Sequence, residues 1–289
     1  MANLKEIRTR ISSVQKTKQV TAAMKMVSAA KLKKAQDAIV QIRPYADKLH
    51  EILSNLTGSL NPDDNLYGVQ RKADKILLIA ITSNKGLCGA FNSNVIKQVN
   101  VLTEGVYADQ NQKGNLEVLC IGKQANEILK KTHKVIGERN SLYDDLSFEN
   151  VSALAESIME EFVEGKYDKV ELVYNQFKNA GVQILTTEQF LPVQHEEEEN
   201  NVQSDYIFEP NKEEIVQDLI PKSLKTQFFK AMLDSFASEH GARMTAMHKA
   251  TDNASDLIQD LNLTYNKARQ AAITNEILEI VSGANALAQ

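Results

Sequence analysis

Apolar residues at the start of the chain recur at helical intervals. Leu4, Ile7, Ile11 and Val14 alternate steps of three and four, the spacing continues through Lys18 and Thr21, and the apolar stripe then drifts to Met24, Val27 and Ala30. A matching pattern occupies the other end. Met247, Ala250, Ala254, Leu257, Leu261, Thr264, Ala268 and Ala271 step by three and four as a heptad repeat does, which implies a left-handed coiled coil. The two patterns predict one very long helix over the first ~55 residues and another over the last ~65. At about 1.5 Å per residue the run from Ser223 to Ser282 would extend roughly 90 Å, against about 50 Å for a globule of this length, so both helices are expected to protrude and find a partner. The simplest partner is the other helix, in an antiparallel pair whose Ala-rich seam lets the backbones approach; packing of each on other subunits is the alternative. Pro44 is expected to bend the first helix or mark its changeover. Pro221 is expected near the start of the second, where its missing donor does no harm. Gly241, unfavourable inside a helix, signals close packing or a hinge.

Between the ends the pattern changes from helical spacing to short apolar runs. Residues 75 to 82 are almost continuously apolar, as in a strand buried on both faces of a parallel sheet, and similar runs cover 116 to 121, 169 to 174 and 182 to 187. Helical stretches near 92 to 102, 123 to 131 and 150 to 164 alternate with them, and Asn61-Pro62-Asp63-Asp64 makes a turn. The expected architecture is mixed: a long antiparallel coiled coil of N- and C-terminal helices plus a central doubly wound α/β domain with mixed strand directions towards its end. The corresponding boundaries are a helix over 1–60, a Rossmann-like α/β layer over 73–208 and a helix over 210–289.

Charge sharpens this picture. The net charge of −5 hides eleven Lys and Arg against Glu6, Asp37 and Asp47 in the first fifty residues, and nine acids against Lys212 alone between 194 and 218. The acidic run reads as a solvated loop. The basic helix reads as a rod whose outer surface meets acidic partners. No apolar run is long enough for a membrane span, and the N-terminus lacks the apolar stretch of a secretory signal. Cys88 and Cys120 read as small buried hydrophobes rather than a disulfide.

Candidate chemistry is sparse. The loop Ser83-Asn84-Lys85-Gly86-Leu87-Cys88-Gly89 follows the first strand, where a phosphate loop would lie, yet it matches neither GxxxxGK[ST] nor GxGxxG. His50, His133, His195, His240 and His248 show no paired spacing with a Ser or Cys nucleophile, and no CxxC or HExxH metal spacing is present. Catalytic, cofactor and metal sites are therefore expected to be absent. A coiled-coil scaffold or a basic-helix nucleic-acid binder remains a rival reading, although no aromatic residue precedes Tyr45 to stack on bases. An independent nucleotide hydrolase is a weaker third.

Several segments resemble one family. MKMVSAAKLKKAQ at 24 to 36, SNKGLCGAFN at 83 to 92, ARMTAMHKATDNASDLI at 242 to 258 and YNKARQAAITNEILEIVSGANAL at 265 to 287 are similar to the gamma subunits of F-type ATP synthases, and the likeness spans the whole chain. The resemblance implies a central rotor stalk present once per complex, non-catalytic by itself, inserted into a ring of three alpha and three beta subunits. It also implies a foot resting on the c-subunit ring beside the epsilon subunit. By the same resemblance Met24 and Lys25 face the acidic lever of beta, and Arg243 and Gln270 hydrogen-bond to beta-subunit loops. Residues 283 to 289 match a tip seated in an apolar bearing, and Tyr206 lies near the epsilon and c-ring contact. Arg8, Arg10 and Lys18 join the ring contacts on charge alone. A cysteine-containing regulatory segment of the chloroplast kind is not visible, nor is a mitochondrial presequence. The expectation is a bacterial protein peripheral to the cytoplasmic face of the inner membrane, without cofactor or nucleic-acid partner.

Overall fold

A computed structural model describes residues 4–57, 66–193 and 212–287. The elements follow in the order α1 (Leu4–Thr57), β1 (Ile76–Ile81), α2 (Phe91–Val101), α3 (Ala108–Gln112), β2 (Leu116–Ile121), α4 (Lys123–Leu129), β3 (Val135–Glu138), α5 (Phe148–Val163), β4 (Lys169–Asn179), β5 (Val182–Leu191) and α6 (Lys212–Leu287). A turn of π-helix, Leu102–Val106, leads from α2 towards α3, and a 3-10 turn, Asn140–Tyr143, follows β3. The chain divides into two compact units. One comprises Met1–Ser28 with Met244–Gln289, the other Ala29–Arg243.

The second unit is built on a five-stranded sheet in the order β3-β2-β1-β4-β5. β1 pairs in parallel with β2 and with β4, β2 in parallel with β3, and only β5 runs antiparallel. The hydrophobic continuity of β1 reflects its central place. Leu77, Ile79 and Ile81 pack on one face with α5 (Val151, Ala155, Ile158, Phe162) and α6 (Ile220, Leu224, Phe228, Ala231). Ile76, Leu78 and Ala80 pack on the other with α2 (Val95, Val99) and α4 (Ala125, Leu129). Ser147 caps α5, its side chain accepting from the Asn150 N–H.

Departures from the expected elements have local causes. β3 has no counterpart in the sequence pattern because it is four residues long, contains Gly137 and buries none of its side chains fully. β4 and β5 run past their apolar segments through polar residues to form a hairpin, whose turn is held by Asn179 Oδ1 accepting from the N–H of Gly181 (3.0 Å) and Val182 (2.8 Å). Pro44 lies within α1, which continues through it. Pro221 is not at the start of the long helix but ten residues into α6. An interior proline costs a helix about 3 kcal/mol. Burial of Ile220, Leu224 and Phe228 against the sheet offsets that cost.

Candidate subunit-binding surface of the helical pair

In the unit formed by the two chain ends, α1 and α6 run antiparallel. Arg8 Nη2 donates to the Tyr265 hydroxyl at 2.8 Å, and Thr21 Oγ1 lies 2.8 Å from Thr251 Oγ1, so the α6 numbers fall as the α1 numbers rise. Arg8 also lies over the Tyr265 ring, 5.7 Å from its centroid. Each hydroxyl also has a carbonyl of its own helix within reach, Lys18 for Thr21 at 3.0 Å and Met247 for Thr251 at 2.8 Å, so either of the two can donate across the seam. Two small hydroxyls thus satisfy each other where a larger apolar pair would hold the helices further apart.

The seam on α1 is more regular than its hydrophobicity. Leu4, Ile7, Ile11, Val14, Lys18, Thr21, Lys25 and Ser28 are covered and alternate three and four without drift, with Ala22 and Met24 half-buried beside them. The stripe expected through Val27 and Ala30 is therefore wrong: Val27 is 57% exposed, and polar Ser28 takes the inner place. On α6 the residues seven apart, Met247, Ala254, Leu261 and Ala268, face inward as expected. The layers between them are Thr251, Ile258, Tyr265 and Ala272 instead of Ala250, Leu257, Thr264 and Ala271. Ala250 itself is half-buried, while Leu257 is 41% exposed and Thr264 and Ala271 are exposed. Either a three-then-four or a four-then-three phase preserves the heptad, and the choice rests with the facing helix, which supplies Arg8 for Tyr265 and Thr21 for Thr251.

Beyond Ala272 nothing in the described residues covers α6. Ile273, Ile277, Leu278, Ile280 and Val281 are all large, aliphatic and at least half-exposed or nearly so, Ile280 most at 71%. On α1, Val20, Met26 and Val27 are exposed among Lys and Arg side chains, six of which face Glu6 alone within residues 1–28. A surface of this kind, apolar at one end and basic along one helix, suits contact with protein rather than water.

The predicted contact residues fall in different settings. Met24 and Lys25 are half-buried, Lys25 at a seam position, while Gln270 is exposed. Arg10 is exposed and Lys18 is half-buried at the seam. Arg243 belongs to the other unit and is buried, with Nη1 bonded to Glu239 Oε1 at 2.5 Å and Nη2 to the Lys85 carbonyl at 2.7 Å. Its guanidinium is thus already engaged by its own chain, which no spacing in the sequence could indicate. Tyr206 and the acidic run lie outside the described residues, as do the last two residues of the tip.

The loop after β1 has an internal architecture of its own. The Ser83 N–H donates to Asn92 Oδ1 at 2.9 Å, and Leu87 and Gly89 both take positive φ. Cys88 and Cys120 are buried free thiols, and burial pushes Cys120 up to about 12. Burial and the charges of Arg243 and Lys31 push His240 down to about 3, so it is neutral. His248 is exposed, 3.3 Å from Asp252. Among the described residues no three His, Cys, Asp or Glu side chains are grouped so as to hold a metal, and no helix is long and apolar enough to cross a membrane.

Comparison with known proteins agrees with this arrangement over nearly the whole length. The family model described as ATP synthase matches residues 3–287. The chain is 62% identical to the ATP synthase gamma chain of Flavobacterium johnsoniae and 59% identical to that of Christiangramia forsetii, covering 99% of both sequences in each case. It is 46% identical to the gamma chain of Bacteroides fragilis over 99% of this chain and 100% of that one. Its fold is similar to a chain in the rotor of the Euglena gracilis mitochondrial ATP synthase, with a TM-score of 0.68 at 21% identity, covering 93% of this chain and 98% of that one. A chain in the OSCP/F1/c-ring structure of the same enzyme gives 0.72 at 22% identity, covering 98% and 94%. With identities this high over full length, the chain belongs to the family of ATP synthase gamma chains.

Proposed function

We propose that the chain is the central rotor stalk of a bacterial ATP synthase, turning inside a ring of alpha and beta subunits and coupling ion flow through a c-subunit ring to ATP synthesis or hydrolysis. It does so without catalysing a reaction itself. The observation that carries the reading is the antiparallel helix pair: its seam closes at Ala272, and α6 then continues with five large aliphatic side chains that no described residue covers. A single asymmetric shaft presents different residues to each of three identical neighbours and so holds them in different states. Swinging one neighbour from mostly open to mostly closed needs about 5.5 kcal/mol of differential contact, within reach of several polar and apolar contacts acting together.

In this reading Met24, Lys25 and Gln270 meet the beta subunit, with the Lys25 ammonium pairing with its acidic lever. Arg243 is assigned to the same contact by the family match alone. The helices over 1–60 and 210–289 serve as the shaft and the α/β layer over 73–208 as the foot, with Tyr206 near the epsilon subunit and the c ring. The chain itself sits peripherally on the cytoplasmic face of the inner membrane. Reconstitution tests this: alpha and beta subunits should show steady ATP turnover when this chain is added, and the chain alone should show none. Lys25→Ala and Gln270→Leu should lower coupled ATP synthesis while leaving the fold intact. ATP turnover by the chain alone, or a hexamer indifferent to its addition, would remove the proposal.

A further inference from the structure

Three connections of the sheet converge on one stretch of α6. A Cβ added to Gly241 would stand 3.2 Å from Ala180 Cα and 3.3 Å from the Ala180 carbonyl oxygen, so the β4–β5 turn lies directly against the helix backbone there. Two residues later Arg243 Nη2 donates to the Lys85 and Gly86 carbonyls, at 2.7 and 3.3 Å, in the loop after β1. Residues two apart on an α-helix point about 200° from one another, so turn and loop touch opposite faces of α6. Phe236 stacks on Tyr143 of the 3-10 turn after β3, with centroids 6.2 Å apart, and meets His240 edge-on. Asn84 Nδ2 donates to the Asn140 carbonyl at 3.0 Å, tying the loop after β1 to the turn after β3.

β1, β3 and β4 point the same way, so all three connections leave the carboxyl edge of the sheet. That edge is where open α/β sheets form their ligand crevice. Here the chain's own helix occupies it. From Ala231 to Arg243 every residue of α6 except Phe236 and Ala242 is buried, although Asp234, Ser235, Ser238, Glu239, His240 and Arg243 are polar. Within this enclosed stretch Arg243 makes the bonds that reach outside the helix, to the Lys85 and Gly86 carbonyls of the loop after β1, while its other terminal nitrogen pairs within the helix with Glu239.

We propose that this carboxyl edge is a socket gripping α6, through which torsional load on the helix passes into the sheet, and that Arg243 is its positioning residue. The proposal rests on the rotor reading. A guanidinium can reach a carboxylate with one nitrogen and two carbonyls with the other, whereas a lysine ammonium cannot span the same three acceptors. Gly241 makes the opposite grip, because any side chain there forces the Ala180 turn outward.

The test uses the assembled ATP synthase in inverted membrane vesicles, carrying Arg243→Lys or, separately, Gly241→Ala, which leaves the arginine in place. Amide hydrogen exchange over 83–90 and 179–183 is measured alongside ATP-driven ion uptake per phosphate released. Expected are exchange about tenfold faster in the segment each variant touches and a loss of uptake per phosphate. Exchange unchanged from wild type overturns the socket. Faster exchange with full uptake per phosphate overturns its load-bearing role. Failure of the rotor reading is separately visible, since the unaltered chain would then support no ATP-driven uptake at all.

Discussion

Two stretches of α6 solve opposite problems with similar residues. Between Ala231 and Arg243 the helix is enclosed although half of it is polar. Between Met247 and Ala272 it covers one residue at each half-heptad, with Ala250 and Ser255 half-buried beside them, and leaves the others open, and from Ile273 to Ala284 it covers nothing, although aliphatic residues are frequent there. Burial along this helix therefore does not follow hydrophobicity. It follows which neighbours the chain itself supplies. In the enclosed stretch Arg243 bonds to Glu239 within the helix and to the Lys85 and Gly86 carbonyls of the loop after β1. In the open stretch no described residue covers the aliphatic side chains.

The sharpest way to break this contrast is Arg243→Ala. It leaves Glu239, buried and already pushed up by burial against the opposing charge of Arg243, without its cation. Removing one partner of a buried pair costs about 3–5 kcal/mol. A thermal melt of the isolated chain should show the unit around the sheet melting well below wild type, with little of that loss recovered by Arg243→Lys. A melting temperature within a degree or two of wild type would mean that the enclosure is not held by the pair.

Asp234 probes the same stretch through pH. Its side chain is fully buried, with Arg43 Nη2 3.7 Å away on α1 and Lys230, Glu188 and Tyr174 nearby, and burial raises it from 3.8 to about 6. The native state thus holds this proton more tightly than the unfolded chain does. The charged form opposes folding above about pH 6, and that penalty fades as pH falls towards 4. A two-unit shift corresponds to roughly 2–3 kcal/mol. Asp234→Asn should therefore stabilise the chain at pH 8, leave it nearly unchanged near pH 4, and flatten the slope between. Parallel melting curves for mutant and wild type across that range would show that Arg43 and Lys230 fully compensate the charge.

The sequence-level reading follows the same division. Strands β1 and β2, buried on both faces, show it in continuous apolar runs, and the residues seven apart on α6 declare the seam. The intervening layer does not, because Leu257 and Ile258 are equally apolar and the phase is settled by Tyr265 meeting Arg8 and Thr251 meeting Thr21. The enclosed stretch was the least visible part. Asp234, Ser235, Ser238, Glu239, His240 and Arg243 have the composition of a solvated face, and their burial depends on loops that arrive from distant sequence. Gly241 was the one local signal of close packing, and Ala180 accounts for it. Arg243 stood out only through family resemblance, which pointed to a neighbouring subunit and could not reveal the bonds within its own chain.

On the open side of the comparison the effects are smaller. Thr21→Val or Thr251→Val alone removes the hydrogen bond across the seam and should cost about 1 kcal/mol in chemical denaturation. The double substitution replaces both partners with groups of the same shape and should cost less than the sum of the singles. Strict additivity would show that the two hydroxyls do not depend on each other.

Ile277→Ser combined with Ile280→Ser should do least to the isolated chain, because both side chains are more than half exposed and surface changes of this kind stay within about 0.5 kcal/mol. Ile258→Ser, half-buried in the seam one face away, is the matched control and should lower stability measurably. The order reverses when association with alpha and beta subunits is measured. Burying one isoleucine contributes about 1.5–3 kcal/mol, so the exposed pair should weaken assembly at least tenfold while the seam variant, once folded, assembles more nearly like wild type. If instead the pair lowered the melting temperature as much as the seam variant and left assembly intact, the aliphatic end of α6 would be packed by its own chain, and its exposure would no longer argue for a partner.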